Sequence, residues 1–343
     1  MSQYIVLNKV KVQNANCIAG FTWGFPAITN FLGFTHALQR KLSTEYDIKL
    51  SGCAVVCHDH QLHVYKPKKN ADFEFIQSKN PPVLAKHKKS SPPIIEEGKM
   101  NVTLSIIIEV ATVLTVTNDE LKHFEKRVLA TCLTNRLAGG TILDIGKIKL
   151  LSASTDDQEQ ALNRKIKKLM MPGFVLQDRS DYLQTHFECL KNKDPQAKLI
   201  DAWLDFSAIK HQAIPVEEDK NTPLTFETKA NWNILKRPVS KGYLVPIMTG
   251  YKAISELFSA GEVEDTRDDL TPTRFVEAVH TIAEWKGIHR VTDINEMIWR
   301  YQGRKNNESD WYLCTQTKNE IKEEQSTNSE NIITNFASAL AQF

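Results

Sequence analysis

Amide and aromatic side chains, two kinds of group that bind nucleic-acid bases, lie close together near the start of the chain. Gln13, Asn14 and Asn16 offer paired donors and acceptors that can read base edges. Trp23 and Phe25 follow in a loop shaped by glycine and proline, and they offer flat faces on which bases can stack. Residue types alone favour a plainer interpretation, in which both rings belong to the core and the asparagines only satisfy a turn.

A helical pattern follows directly and places three residues of chemical interest on one face. Gly33, His36 and Arg40 are spaced i, i+3 and i+7. A glycine there permits close approach of a ligand, and Arg40 could hold a phosphate. His36 could act as the general base in metal-free RNA cleavage, although a lone histidine is more often structural and no second acid or base accompanies it.

Two successive glycines, Gly139 and Gly140, stand between a helical and a strand-like segment in the run RLAGGTILD. Such a pair either ends the helix as a C-cap or frees backbone N–H groups to cradle a phosphate, and the C-cap is the favoured interpretation. The run lacks the Lys-Ser/Thr pair of a P-loop, so a nucleotide-binding loop of that kind is not indicated.

The segment CAVVCHDH contains side chains that ligate metals in other proteins, namely Cys53, Cys57, His58 and His60. The two cysteines share one face of an apolar strand, and no second ligand pair follows at zinc-finger spacing. We therefore interpret them as core thiols and expect neither a metal nor another cofactor. The six cysteines of the chain are scattered and are expected to be reduced.

These candidate residues depend on an alternating order of strands and helices. A helix is predicted over residues 29–42, and a capping-box pattern at Thr117 and Glu120 begins a second helix. Strands are predicted over residues 4–12, 47–58, 100–116 and 141–150. The order β-α-β-β-α-β predicts an α+β fold with a ferredoxin-like, RRM-like core, which is also the layout of many RNA-recognition modules.

The predicted core covers residues 1–150 and carries a Pro- and Lys-rich insertion at residues 66–93. The insertion is too polar for a core, and it is either a solvated linker or a phosphate-contacting finger. Residues 151–306 are predicted to pack on the core, with a capped helix from Thr155, helices at 182–190 and 274–285, and strands near 226 and at 243–247. A variable polar tail is expected over residues 307–343.

The overall composition excludes some classes of protein without identifying a function. Lys and Arg number 43 against 41 Asp and Glu, and the net charge of +2 gives no global field for binding nucleic acid. The longest apolar stretch, residues 102–116, is interrupted by Ser105 and Glu109, so no membrane span is predicted. The N-terminus lacks the pattern of an export signal, and a cytoplasmic location is expected.

Short motifs distributed between about residues 4 and 300 are together far more specific than any one of them. They are QNAN at 13–16, TWGFP at 22–26, GFTHALQR at 33–40, VCH at 56–58, IIEEG at 94–98, RLAGG at 136–140, PGF at 172–174, LVPI with GY at 244–251, and TPTRFVE at 271–277. On these motifs the chain resembles the second Csy subunit of the type I-F CRISPR surveillance complex, a family of the RAMP superfamily.

The resemblance implies a ferredoxin-like RNA-binding subunit with an inserted thumb-like element and without nuclease activity. Members of the family hold the 5′ handle of the CRISPR RNA, pair with the large Csy subunit and adjoin a Csy backbone subunit, and they contact target DNA through the assembled complex. A separate endoribonuclease processes the RNA. The candidate RNA-binding residues are Gln13, Asn14, Asn16, Thr22, Trp23, Gly24, Phe25, Gly33, His36, Arg40, Arg136, Gly139, Gly140 and Lys241.

Two other functions stay open. Related RAMP proteins use a histidine on the corresponding helix to cleave RNA, so the chain is alternatively a metal-independent endoribonuclease with His36 as the general base. A purely protein-binding adaptor would also account for the modest net charge. The adaptor predicts that no RNA co-purifies, and the enzyme predicts cleavage of repeat RNA in EDTA.

Overall fold

The computed structural model describes residues 2–79, 94–96, 98–216, 229–239, 241–266, 268–302 and 310–316. Contacts divide these residues into two compact units. The first unit contains the described residues of 2–177, 247–280 and 285–316, and the second contains those of 178–246 and 281–284. None of the helices in this part of the chain is both long and apolar enough to cross a membrane.

Helices and strands alternate through most of the described chain. The helices are α1 (Ile28–Leu42), α2 (Asn118–Leu133), α3 (Asp156–Met170), α4 (Ser180–Lys193) and α5 (Leu199–Ser207). The strands before α3 are β1 (Ser2–Asn16), β2 (Ile18–Ala19), β3 (Thr22–Trp23), β4 (Leu50–Leu62), β5 (Val64–Tyr65), β6 (Glu74–Phe75), β7 (Gln77–Lys79), β8 (Ile94–Glu96), β9 (Lys99–Val110), β10 (Arg136–Leu137) and β11 (Gly140–Ala153). The later strands are β12 (Phe174–Asp178), β13 (His211–Pro215), β14 (Ala230–Ile234), β15 (Tyr243–Ala253), β16 (Val276–Gly287), β17 (Trp299–Gln302) and β18 (Trp311–Thr315).

One large sheet contains ten of these strands, and all ten contribute residues to the first unit. Its order is β10-β11-β1-β9-β4-β12-β16-β15-β18-β17, and β17 also pairs with β4. The pairs that β1 and β4 form with β9, β11, β12 and β17 are all antiparallel. The fold is therefore mixed α and β around a large antiparallel sheet.

Helices α1 and α2 pack on this sheet and on each other because their apolar residues recur at helical spacing. Phe31 and Leu38 of α1 and Phe124 of α2 are fully buried. Burying one such side chain stabilises a fold by roughly 1.5–3 kcal/mol. The capping box predicted for α2 is confirmed, because the Thr117 N–H donates to Glu120 Oε2 at 2.7 Å and the Glu120 N–H donates to the Thr117 hydroxyl at 3.4 Å.

Strand β1 is buried on both faces in its first half and is open on one face in its second half. Tyr4 and Val6 pack in one core cluster with apolar residues of α3. Further along the strand, Lys9, Lys11 and Gln13 are exposed. The half of β1 that leads into the QNAN motif therefore presents polar side chains to solvent.

The second unit is built around α4, α5 and the ends of two long strands. Leu183 of α4 and Phe206 of α5 pack with Leu244 of β15 and Ile282 of β16. Hairpin β13–β14 is exposed along nearly its whole length. Helix α4 confirms the helix predicted at 182–190, and β15 confirms the strand predicted at 243–247.

Several sequence predictions differ from the structure. The helix predicted at 274–285 is wrong, because Val276–Gly287 forms β16. Residues in the middle of β16 are buried in an unbroken row, and a strand covered on both faces lacks the alternation that would distinguish it from a helix. The strand predicted to reach residue 116 ends at Val110.

The chain beyond the predicted polar-tail boundary also contains regular structure. Trp311–Thr315 forms β18, which pairs with β15 and β17. One of these partners, β15, is distant in the sequence, and a local pattern does not show a pairing of that kind. The strand predicted near 226, residues 80–93 of the predicted insertion, and residues 317–343 lie outside the described residues.

Candidate nucleic-acid interface

The end of β1 turns at Asn14, where the sequence predicted base-reading amides. Asn14 has a φ of 56°, a left-handed conformation that asparagine tolerates better than most residues. Its backbone N–H donates to Asn101 Oδ1 at 3.2 Å. Gln13 pairs with Thr141 of β11, and both Gln13 and Asn14 are exposed. These two amide side chains are therefore accessible to a ligand.

Asn16 uses its side-chain amide locally. Its Nδ2 donates to the Ile18 carbonyl and its Oδ1 accepts from the Ile18 N–H, both at 3.0 Å. Its backbone N–H donates to the Ala138 carbonyl at 2.8 Å. Asn16 thus closes a turn, as the plainer interpretation expected, and it also joins the end of β1 to the hairpin that contains Ala138.

The segment that includes TWGFP forms hairpin β2–β3 and then enters α1. Thr22 is buried, and its hydroxyl donates to the Ala19 carbonyl at 2.9 Å. Gly24 has a φ of 119°, which is readily accessible only to glycine, and its N–H donates to the Cys17 carbonyl at 2.9 Å. Thr22 and Gly24 therefore hold the backbone of this loop in place.

The two rings predicted to stack on bases differ in exposure. Trp23 is 51% exposed and meets the ring of Phe75 in an edge-to-face contact at 5.2 Å between centroids. Phe25 is half-buried, stacks on Phe31 at 5.7 Å and meets Trp285 edge-to-face at 4.8 Å. Phe25 therefore belongs largely to the core, and Trp23 is the one of the two with about half of its surface open.

Helix α1 presents Gly33, His36 and Arg40 on an exposed face, as the spacing predicted. The space where a β-carbon at Gly33 would stand is open. Among the described residues, the His36 side chain has no acid or base that bonds to it. Lys41 Nζ donates to Asn135 Oδ1, so the end of α1 lies beside the start of β10.

Residues 136–140 form a hairpin and do not cap α2. Strands β10 and β11 pair across Ala138 and Gly139, which have φ values of 50° and 75°. The favoured C-cap interpretation is wrong because α2 has already ended and a short strand precedes the glycines. Gly140 is tightly packed, and a β-carbon there would lie 2.7 Å from the Gln13 carbonyl oxygen.

Backbone contacts bring these segments into one region of the first unit, which we call the QNAN surface. Its members are Gln13, Asn14, Asn16, Trp23, Arg136, Gly139 and Gly140. Arg136 is exposed, with Nη1 3.5 Å from the Gly139 carbonyl oxygen. The exposed face of α1 that carries Arg40 adjoins this surface through the contact at Asn135.

Lys241 belongs to the second unit and is exposed. Gly242 follows with a φ of 91° and packs against the carboxylate of Glu284, which forms an ion pair with Arg179 at 2.7 Å. The predicted contact of Lys241 with RNA stays a prediction.

The chain that forms the QNAN surface and α1 is locally basic, a feature that the sequence analysis missed. The first acidic residue of the whole chain is Glu45. The basic residues before it are Lys9, Lys11, Arg40 and Lys41. Lys11 forms an ion pair with Asp144 at 3.6 Å, and such an exposed pair contributes little to stability. Counting charges segment by segment would have found this asymmetry.

Of the two cysteines of β4, Cys53 lies in the core and Cys57 is partly buried, so the prediction of core thiols is confirmed only for Cys53. Burial raises the pKa of Cys53 to about 12 and that of Cys57 to about 11, so both are thiols at neutral pH.

His58 Nε2 lies 2.7 Å from the hydroxyl of Ser105 and its Nδ1 lies 2.6 Å from the Pro172 carbonyl. Ser105 is fully buried, so its hydroxyl is not accessible to a ligand as a nucleophile. The contacts of His58 instead join β4 to β9 and to the segment at Pro172. In the described part of the chain, no group of three or more His, Cys, Asp or Glu is placed to hold a metal ion.

Comparison with known proteins identifies what the chain is similar to. The family model of the CRISPR-associated protein Cas_Csy2 matches residues 5–314. The chain is 33% identical over 311 residues to the CRISPR-associated protein Csy2 of Pseudomonas aeruginosa (strain UCBPP-PA14), and the alignment covers 86% of this chain and 90% of that protein. These matches confirm the resemblance found from the distributed motifs.

Proposed function

Because this chain belongs to the Cas_Csy2 family of CRISPR-associated proteins, we propose that it is a non-catalytic subunit of a type I-F CRISPR surveillance complex. In this proposal it binds the 5′ handle of the CRISPR RNA and pairs with the large Csy subunit. An adjacent Csy backbone subunit and the target DNA are its further partners in the assembled cytoplasmic complex.

The single observation that carries the proposal is the convergence of exposed amides, a half-exposed indole and an exposed guanidinium at the QNAN surface. The amides of Gln13 and Asn14 can bond to the edges of unpaired bases, and Trp23 offers a ring for stacking. Arg136 and Arg40 can hold phosphates through charge-assisted hydrogen bonds. Such a set fits a single strand of RNA, whose bases and phosphates are both accessible.

The order of strands supports a ferredoxin-like core for this subunit. Strands β11-β1-β9-β4 are neighbours in that order, α1 follows β1, and α2 follows β9, which is the arrangement of two interlocked β-α-β units. RNA-recognition modules share this layout. We further propose that the second unit, with α4, α5 and hairpin β13–β14, is the thumb-like insertion, because it occupies the chain between β12 and β15.

Co-expression of the chain with the large Csy subunit and a CRISPR array tests the proposal. Combined Arg40→Ala and Arg136→Ala substitutions should lower the RNA recovered with the complex several-fold, and they should reduce the salt dependence of binding because two phosphate contacts are lost. The matched control is Arg164→Ala, which removes an exposed arginine of α3. Unchanged RNA recovery and an unchanged salt slope in an intact complex would rule out this site.

The same preparation distinguishes the proposal from its two alternatives. Cleavage of repeat RNA in EDTA that is lost in His36→Ala would replace the scaffold by an endoribonuclease with His36 as the general base. A purified complex without nucleic acid would favour the protein-binding adaptor. The lack of a described acid or base partner for His36 gives the enzyme no support.

A further inference from the structure

The most exposed ring of hairpin β2–β3 belongs to Phe21, which the sequence analysis did not single out. Phe21 is 87% exposed and stands at the tip of the hairpin, between the paired residues Ala19 and Thr22. A single exposed apolar side chain is ordinary on a protein surface and needs no explanation by itself. What distinguishes Phe21 is how firmly its backbone and ring are held.

The backbone of Phe21 is fixed by a histidine beneath the turn. Gly20 has a φ of 60°, and a β-carbon on it would lie 2.6 Å from His280 Nε2. The Phe21 N–H donates to the same Nε2 at 3.3 Å. The glycine therefore leaves space for the imidazole to pack directly against the turn, and the imidazole holds the turn in place.

The imidazole of His280 also supports the phenyl ring of Phe21. The two ring centroids are 5.6 Å apart and the ring planes are inclined by 34°. His280 is itself half-buried on strand β16, so its position is set by the sheet. A ring that is already in place before binding loses little conformational freedom when a base stacks on it, and that lowers the cost of binding.

Charge and position favour a nucleic acid over a protein as the ligand of Phe21. The hairpin is joined to the QNAN surface through Asn16, and no acidic residue precedes Glu45 in the chain. A polyanion therefore meets no carboxylate from this part of the chain. Leu270 is equally exposed at 88%, but it follows the acidic run that includes Asp268 and Asp269, where a polyanion would be repelled.

We propose that Phe21 is the residue on which an unpaired base of the bound RNA stacks, with His280 as the support of its ring. This inference deepens the proposed function and rests on it, since the RNA in question is the CRISPR RNA held at the QNAN surface. It assigns the stacking role to Phe21 in place of Phe25, which packs on Phe31 and Trp285. Trp23 lies at the base of the same hairpin, where its ring contacts that of Phe75.

Three substitutions at Phe21 separate stacking from the other roles of an exposed apolar side chain. The complex of the chain with the large Csy subunit is purified for each variant, and its affinity for a synthetic CRISPR RNA 5′ handle is measured at fixed salt. Phe21→Ala should weaken binding roughly tenfold, or about 1.4 kcal/mol, because one base loses the aromatic ring on which it stacks. Phe21→Leu should weaken it similarly because leucine keeps apolar surface without a ring, whereas Phe21→Trp should bind within about twofold of the wild type.

Leu270→Ala is the matched control, and it should leave the affinity unchanged. Wild-type affinity in Phe21→Leu or Phe21→Ala would overturn the proposal. Loss of the large Csy subunit from the Phe21→Ala preparation would also overturn it and would assign Phe21 to a protein contact. A wild-type complex that fails to bind the handle would instead contradict the proposed function itself, so the two failures are distinguishable.

Discussion

Hairpins β2–β3 and β10–β11 both have two-residue loops, but only the first carries an aromatic ring at its tip. The first loop is Gly20–Phe21 and the second is Ala138–Gly139. In the first, only Gly20 has a positive φ, the pattern of a type II′ turn, and in the second both residues do, the pattern of type I′. The second position of a type II′ turn accepts a large side chain, whereas a type I′ turn favours small residues at both positions. Turn type therefore decides which of the two hairpins can carry an aromatic ring at its tip.

The hairpins differ as well in what surrounds their glycines. Gly20 faces a side chain, that of His280. Gly140 faces backbone, with the Gln13 carbonyl oxygen 2.7 Å and the Ala15 nitrogen 2.8 Å from the position of a β-carbon, while Gly139 faces open space. A side chain can move aside at moderate cost, but the backbone of a central strand cannot. An added methyl group should therefore be more harmful at Gly140 than at Gly20.

The largest effect is expected for Gly140→Ala. The new methyl group would force β11 away from β1, and overpacking of this kind lowers the free energy of unfolding by about 3 kcal/mol. Denaturant unfolding of the purified protein measures the change. Gly146→Ala in the same strand is the control, because its β-carbon would meet nothing closer than 3.3 Å and should cost under about 1 kcal/mol. Equal losses in the two variants would show that close approach at Gly140 is unimportant.

Gly20→Ala should cost less, about 2 kcal/mol, in part from the positive φ and in part from displacement of His280. It should also weaken RNA binding, because Phe21 loses its support. Adding His280→Ala removes the clash but leaves the backbone strain, so the double variant should be more stable than the sum of the single effects predicts. Unfolding measured across the double-mutant cycle tests this. Strict additivity would mean that Gly20 is not there to accommodate the imidazole.

Local sequence patterns predicted the elements of the first half of the chain well, for physical reasons that are visible in the structure. Helices α1 and α2 bury one face each, so their apolar residues recur at helical spacing, and Thr117 with Glu120 marks the start of α2 by hydrogen bonds within the same segment. Strand β16 was mistaken for a helix because its buried residues form an unbroken row. Strand β18 was missed because it lies in a segment predicted to be a polar tail and because one of its partners, β15, is distant in sequence.

The predicted contacts of the site residues with RNA stay predictions, but the surroundings of its aromatic rings can be compared with what the sequence showed. Phe21 and Phe25 are the same residue type four positions apart, and nothing local distinguishes them. Their environments differ because β16 places His280 beside Phe21 and Trp285 against Phe25. Because residues 274–285 were predicted to form a helix, the sequence analysis could not place His280 and Trp285 beside these two rings. The exposure of Gln13, Asn14 and Arg136 was easier to predict, because polar residues near the end of a strand need no distant partner to remain accessible.

Acid pH should loosen the first hairpin and spare the second, which is the smallest of the expected effects. Burial lowers the pKa of His280, so the folded protein favours the neutral imidazole, whose Nε2 accepts the Phe21 N–H. The stability that this histidine contributes is complete above about pH 6.5, the unfolded value, and is lost as the pH falls through the lower pKa of the folded state. Protonated Nε2 can only donate, towards the Ala19 carbonyl at 3.2 Å, and the Phe21 N–H loses its acceptor.

Amide exchange corrected for intrinsic rates should therefore quicken at Phe21 but not at Gly140 between about pH 7.5 and 5.5. The difference should vanish in His280→Ala, and its persistence there would show that another group controls the turn.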